Sequence, residues 1–206
     1  RADSLKDRSG AGAPSAPNGM NITGVCTATS FVGSGAALTG ISAGAVVQVK
    51  STTLSNQIDV SVNIDNDYSS FGSIMSVSIT PSSSSNKILV MYTVSGSADS
   101  GHHIVSTIKR AISGGSTSYP ALGDSASGFH RASTGQRSVG SNSYNISSQS
   151  CSYLDSPSTT SAITYTIVGA SENGNTWHIN SNGENHANAG WSTRFISNVT
   201  VMEVTP

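Results

Sequence analysis

From Val46 onward the chain alternates apolar and polar residues with a period of two, and this pattern constrains the fold more than any other feature. Nine segments carry it: AVVQVKST, QIDVSVNI, SIMSVSIT, KILVMYTVSG, HIVSTIKRA, ISSQSCSYL, AITYTIVGA, NTWHIN and TRFISNVTVMEV, separated by Ser, Gly, Asn, Asp and Pro. On an extended backbone successive side chains point to opposite faces, so alternation marks a strand with one buried face. None of the nine has the 3.6-residue spacing of an amphipathic helix. In SIMSVSIT, residues 73–80, Met75, Val77 and Ile79 fall on one face and Ile74, Ser76, Ser78 and Thr80 on the other. KILVMYTV carries bulk on both faces, which predicts a central strand. PSSSSN between them predicts a turn, because Pro81 has no N–H for a ladder and the serines add only small hydroxyls. Short strands at this spacing, with no helical segment, predict an all-β antiparallel sandwich of jelly-roll type.

Composition agrees. Charged residues are 10% of the chain, against about a quarter in ordinary globular domains. Ser and Thr together reach roughly 30%, which suits the wet face of a sheet, while recurrent Val, Ile and Thr suit a pleated surface. A net charge of −1 and scattered basic residues exclude bulk electrostatic attraction to nucleic acid or to an anionic membrane. No apolar run approaches the roughly 18 residues of a membrane helix, and RADSLKDR at the start lacks the apolar core of a signal peptide. Cys26 and Cys151, with no Cys or His partner at ligand spacing, read as two unpaired, packed thiols.

Residues 9–49 contain no Asp, Glu, Lys or Arg, and SGAGAPSAPNG opens them with prolines and glycines. The domain boundary therefore falls between an extended arm and shaft, residues 1–45, and a β-sandwich head, residues 46–206. Within the arm, TATSFVGSGAALTGI is too small-sided to build a core of its own and too apolar for a solvated linker. Copies wound about a threefold axis solve this, with Phe31, Leu38 and Ile41 filling the centre. The expected oligomer is a homotrimer.

The same residues carry a resemblance. SFVGSGAALTGI, preceded by APSAPNGMNITGV, together with SVSITPSSSSNKILVMYTV, YLDSPSTTSAITYTI and the closing SNVTVMEV, resembles tail-fibre-type virion proteins of tailed bacteriophages, particularly those of marine cyanobacteria. The likeness spans most of the chain apart from residues 96–145. It implies a non-enzymatic virion structural protein, usually trimeric, with an N-terminal part docked to other virion proteins and a β-rich C-terminal part facing outward. Host attachment through a surface glycan or protein follows from a tail-fibre placement. A head decoration or fibre protein is the alternative, and a secreted bacterial adhesin or lectin-like module stands further off. No cofactor, no nucleic-acid partner and no membrane insertion are expected.

Chemistry-bearing residues are sparse. GDSAS at 123–127 superficially resembles the nucleophile block of some ester hydrolases, yet no helix pattern follows Ser125 and the one Asp-x-x-His, Asp99 to His102, precedes it. His102 and His103 are adjacent and so point to opposite faces of a strand. Asn63, Asp65 and Asp67 alternate like calcium ligands but lack the following glycine of a calcium loop, and NDY suits a turn. The glycine- and serine-rich region Ser113–Asn145 holds Tyr119, Phe129, His130, Arg131 and Arg137, the densest set of recognition-type side chains in the chain. A second set, NTWHINSNGENHANAGW, combines Trp177 and Trp191 with histidines and amides. It fits either a sugar site or a core tryptophan beside an asparagine turn. These seven residues are the expected receptor-binding candidates.

Overall fold

The computed structural model describes residues 18, 19, 21–27, 46–98, 101–137, 145–183, 190 and 192–206. Phe31, Leu38, Ile41 and Trp191 lie outside them, and so do the expectations placed on those four. Two units divide the chain, Arg1–Ile41 and Ser42–Pro206. In the first, the described residues are exposed, Cys26 included. This corrects the expectation of a packed thiol there; Cys151, half-buried, is also unpaired.

The second unit is built from strands β1 (Val46–Leu54), β2 (Ile58–Val60), β3 (Gly72–Ile79), β4 (Lys87–Ala98), β5 (His103–Ile112), β6 (Thr117–Ser118), β7 (Thr134–Arg137), β8 (Ile146–Asp155), β9 (Ile163–Ser171), β10 (Trp177–Ile179) and β11 (Ser197–Val204). Their pairing is nested and antiparallel. β5 pairs β6 and β7, β4 pairs β8, β3 pairs β9, and β1 pairs β11. This is one long hairpin whose tip lies after β5. Rolling it up sets β11 beside β4 and β9 beside β5, which closes one sheet around β1-β11-β4-β8 and a second around β3-β9-β5 with β6 and β7. The fold is a jelly roll. No helix among the described residues is long and apolar enough to cross a membrane.

The core fills the space between the sheets. Ile88, Val90, Val94, Ile108, Ile163, Ile167, Val199 and Val201 are fully buried, each worth about 1.5–3 kcal/mol relative to exposure. β4 is central, as its two-faced bulk predicts, with partners along both edges. One face assignment differs from expectation: Ile74 is 5% exposed rather than on the wet face. A bulge between Ser73 and Met75 inserts an extra residue opposite β9 and turns Ile74 inward.

Two strands share one edge of β4. β11 pairs Lys87–Thr93 and β10 pairs Gly96–Ala98, so the chain must leave one ladder and enter the other. Gly96 permits this, because a Cβ there would collide with the His178 carbonyl. Buried Asn180, in the left-handed region at φ 60°, fixes the crossing: its Nδ2 donates to the carbonyls of Leu54 and Asn56 at 2.8 and 3.1 Å, and Ser197 Oγ donates to its Oδ1 at 2.6 Å.

Buried polar groups tie the lower end, where β1 begins and β11 ends. Glu203 is fully buried, yet four donors reach it. The Ser82 N–H and hydroxyl (2.7 Å each) and Asn86 Nδ2 (2.6 Å) bond Oε1, and Gln48 Nε2 (2.6 Å) bonds Oε2. Burial pushes its pKa up, but the bonds from Gln48, Asn86 and Ser82 outweigh burial and hold it at about 2. PSSSSN is thus a turn clasped onto the last strand. Nearby, Arg110 on β5 grips both oxygens of buried Asp155 on β8 at 2.7 and 2.9 Å, and Tyr165 on β9 donates to the same carboxylate at 2.6 Å. This clasp joins the two sheets.

The outer faces of the sheets differ. Across the first, register aligns Val49, Met202, Leu89 and Leu154 in one apolar row, with Val49 and Leu154 about half exposed. Across the second, Val168, Ala170 and Val105 are covered by Ile64, Phe71, Tyr68 and Tyr119 from two long loops.

Candidate functional site

The two covering loops make the site. The first, between β2 and β3, is anchored where Ser171 N–H donates to the Val62 carbonyl at 2.7 Å and Asn63 bridges Ser171. Asp65 and Asp67 shape its far part. Asp65 accepts from the Asp67 N–H at 2.8 Å, and Asp67 accepts from the Ser69 N–H at 3.1 Å and hydroxyl at 2.5 Å, capping a short 3-10 turn. These carboxylates organise a turn.

The second loop, between β6 and β7, returns along the sheet. Ser133 Oγ pins it at one side by donating to the Ala121 carbonyl at 2.5 Å. Gly128 turns with φ 81°, and the Phe129 N–H closes the turn onto the Ala126 carbonyl at 3.3 Å. The consequence is a phenyl ring thrust outward, with Phe129 70% exposed.

Between the loops lies a cleft of about 580 Å³ lined by Asn63, Ile64, His103, Val105, Gly128, Phe129, His130, Glu172 and Asn173. Its floor is the upper end of β5 and the residues that follow β9. Glu172 Oε2 accepts the His103 N–H at 3.0 Å. That bond holds the Glu172 carboxyl below its ordinary value against a little desolvation, with His103, His102 and Arg137 adding in the same direction. Glu172 is the one carboxylate lining the cleft, beside His103 and His130. Asn173 follows, exposed and in the left-handed region at φ 57°. Two smaller depressions adjoin, and Phe129 borders both.

The structure brings Phe129 and His130 together here. Arg131 lines the adjoining depressions, with its Nε donating to the Gly123 carbonyl at 2.6 Å. Arg137, exposed at the end of β7, donates from Nε to the Gly101 carbonyl at 3.0 Å. Tyr119 has a different task. Its ring packs 5.3 Å from Tyr68 beneath the loop, and burial raises the pKa of its phenol. Trp177 is a correction: at 1% exposure its ring fills the core over Gly169, where a Cβ would come within 2.7 Å of it. No sugar reaches that ring. Among the described residues of Ser113–Asn145, β6 and β7 pair with β5, so that part is not a plain loop.

Sequence reading singled out neither Glu172 nor Asn63 as partners of Phe129. Their signal was absent from local pattern, since Glu172 and His103 stand 69 residues apart and meet through sheet pairing. Among the described residues no group of three His, Cys, Asp or Glu side chains is placed to hold a metal. Ser125 of GDSAS sits in irregular loop, not at a strand-to-helix turn.

No family model matches the chain, and no curated protein matches it. Solved structures do. The structure of infectious bursal disease virus, Gt strain, is 12% identical, with 90% of this chain and 47% of that chain covered and a TM-score of 0.40. The Gx strain structure of the same virus is 13% identical over 77% of this chain and 37% of that one, TM-score 0.37. The crystal structure of its VP2 subviral particle is 13% identical over 77% and 42%, TM-score 0.35. The chain spans less than half the length of each of these chains. Its jelly-roll assignment rests on its own strand pairing.

Proposed function

We propose that this chain is a non-enzymatic structural protein of a bacteriophage virion, a trimeric fibre-like appendage whose jelly-roll head meets the host. The observation that carries the reading is the asymmetry of the head. One end is closed by clasped turns and buried carboxylates, while the other holds a cleft between ordered loops, with an aromatic ring exposed at its rim. The likeness of SFVGSGAALTGI and SITPSSSSNKILV to tail-fibre-type proteins supports the virion placement. The apolar row Val49, Met202, Leu89 and Leu154 supports assembly, since exposed apolar patches mark contact surfaces.

Native mass spectrometry of the purified chain, together with gold-labelled antibody on intact particles, tests this. A mass of three chains and label at fibre tips are the expected results. A stable monomer removes the trimer, and label spread over the head replaces the fibre with a decoration role.

A further inference from the structure

The cleft between the two covering loops has the chemistry of a sugar site, and we propose that it binds a neutral pyranose unit, with Phe129 as the stacking face and Glu172 as the hydroxyl acceptor. This inference rests on the host-contact reading above. Its size falls in the roughly 300–1,000 Å³ range of small-molecule clefts. A pyranose ring has an apolar face of axial C–H groups and a rim of hydroxyls. It therefore asks for an exposed aromatic face beside fixed hydrogen-bonding groups.

The cleft supplies both. Phe129 is held outward by the Gly128 turn, so its exposed ring needs no rearrangement before contact. Glu172 is fixed through Oε2 by the His103 N–H, and among the described residues its Oε1 has no donor, so it can accept hydroxyl protons. Among the described residues, the Asn63 and Asn173 amides make no side-chain hydrogen bond, and each offers both a donor and an acceptor. Charge selects among sugars. Glu172 is the one carboxylate lining the cleft, so a uronic or sialic acid carboxylate set against it in the place of a hydroxyl meets like charge. A neutral hexose meets only acceptors and donors.

The test is saturation-transfer NMR on the full chain with the methyl glycosides of glucose, galactose and mannose, and with glucuronic acid as the anionic arm. Transfer to ring protons of at least one neutral glycoside is expected, with none to glucuronic acid. Phe129→Ala should weaken that binding about tenfold or more while leaving the melting temperature unchanged, since the ring is exposed. Glu172→Gln should weaken it and admit glucuronic acid. Absence of transfer with all three neutral glycosides, or transfer indifferent to Phe129→Ala, or preference for glucuronic acid in the unaltered chain, would each overturn the assignment. If no neutral glycoside binds while particle adsorption still depends on Phe129, the sugar assignment fails and host contact stands. If a sugar binds through Phe129 and adsorption is indifferent to it, host contact fails.

Discussion

Glu203 and Glu172 stand at opposite ends of the same sandwich, and both carboxylates are held below their ordinary pKa. Their surroundings otherwise differ at every point. Glu203 is fully buried and accepts from four donors, so each oxygen is spent inside the fold. Glu172 accepts one backbone N–H and keeps an oxygen open to a cleft. A depressed pKa alone therefore says nothing of function. The count of internal donors separates a carboxylate that closes a fold from one left available to a ligand.

Breaking the lower end has the largest expected effect. Glu203→Ala removes the acceptor of the Ser82 N–H and hydroxyl and one of two acceptors from each of the Asn86 and Gln48 amides, and should cost roughly 3 kcal/mol, read as a lowered urea midpoint. Acid should reproduce most of that loss. The folded pKa of about 2 lies below the ordinary 4.5, so the stabilisation is fully present above pH 4.5 and disappears as pH falls through about 2. Its size is about 3 kcal/mol. Glu203→Gln should flatten that part of the pH–stability curve, whereas Glu172→Gln should leave it intact.

Tyr165→Phe should cost about 1 kcal/mol, because Asp155 loses one donor but keeps Arg110. Smallest of all, Glu172→Gln and Phe129→Ala should leave the melting temperature where it is. A large loss of stability from either would erase the contrast between the two ends.

Much of this fold was legible in sequence because alternation is a local signal. SIMSVSIT, KILVMYTV and SNVTVMEV each announce a strand; the first also announces its buried face, save for Ile74, and the second its central place in a sheet. The bulge that turns Ile74 inward was not legible, since it depends on where Gly72 and Gly169 pair. Nor was the sharing of one edge of β4 by two strands. That depends on Gly96 and on Asn180 in the left-handed region, and neither position differs in pattern from other glycines and asparagines of the chain. For the site, the sequence pointed to the loop holding Phe129 and His130, because an aromatic ring, a histidine and an arginine stand together there in an otherwise glycine- and serine-rich stretch. It also pointed to Trp177, whose ring instead fills the core. The cleft's floor and far wall come from Glu172, His103 and Asn63, brought together by pairing of distant strands, for which no local pattern exists.

The central claim is that the open end of the head, and not the clasped end, does the outward-facing work. Adsorption of particles carrying Phe129→Ala to host cells, measured against unaltered particles of equal fibre content, tests it most directly. The account predicts a fall in adsorption rate of about tenfold or more with normal assembly. Unaltered adsorption by fully assembled Phe129→Ala particles would contradict it.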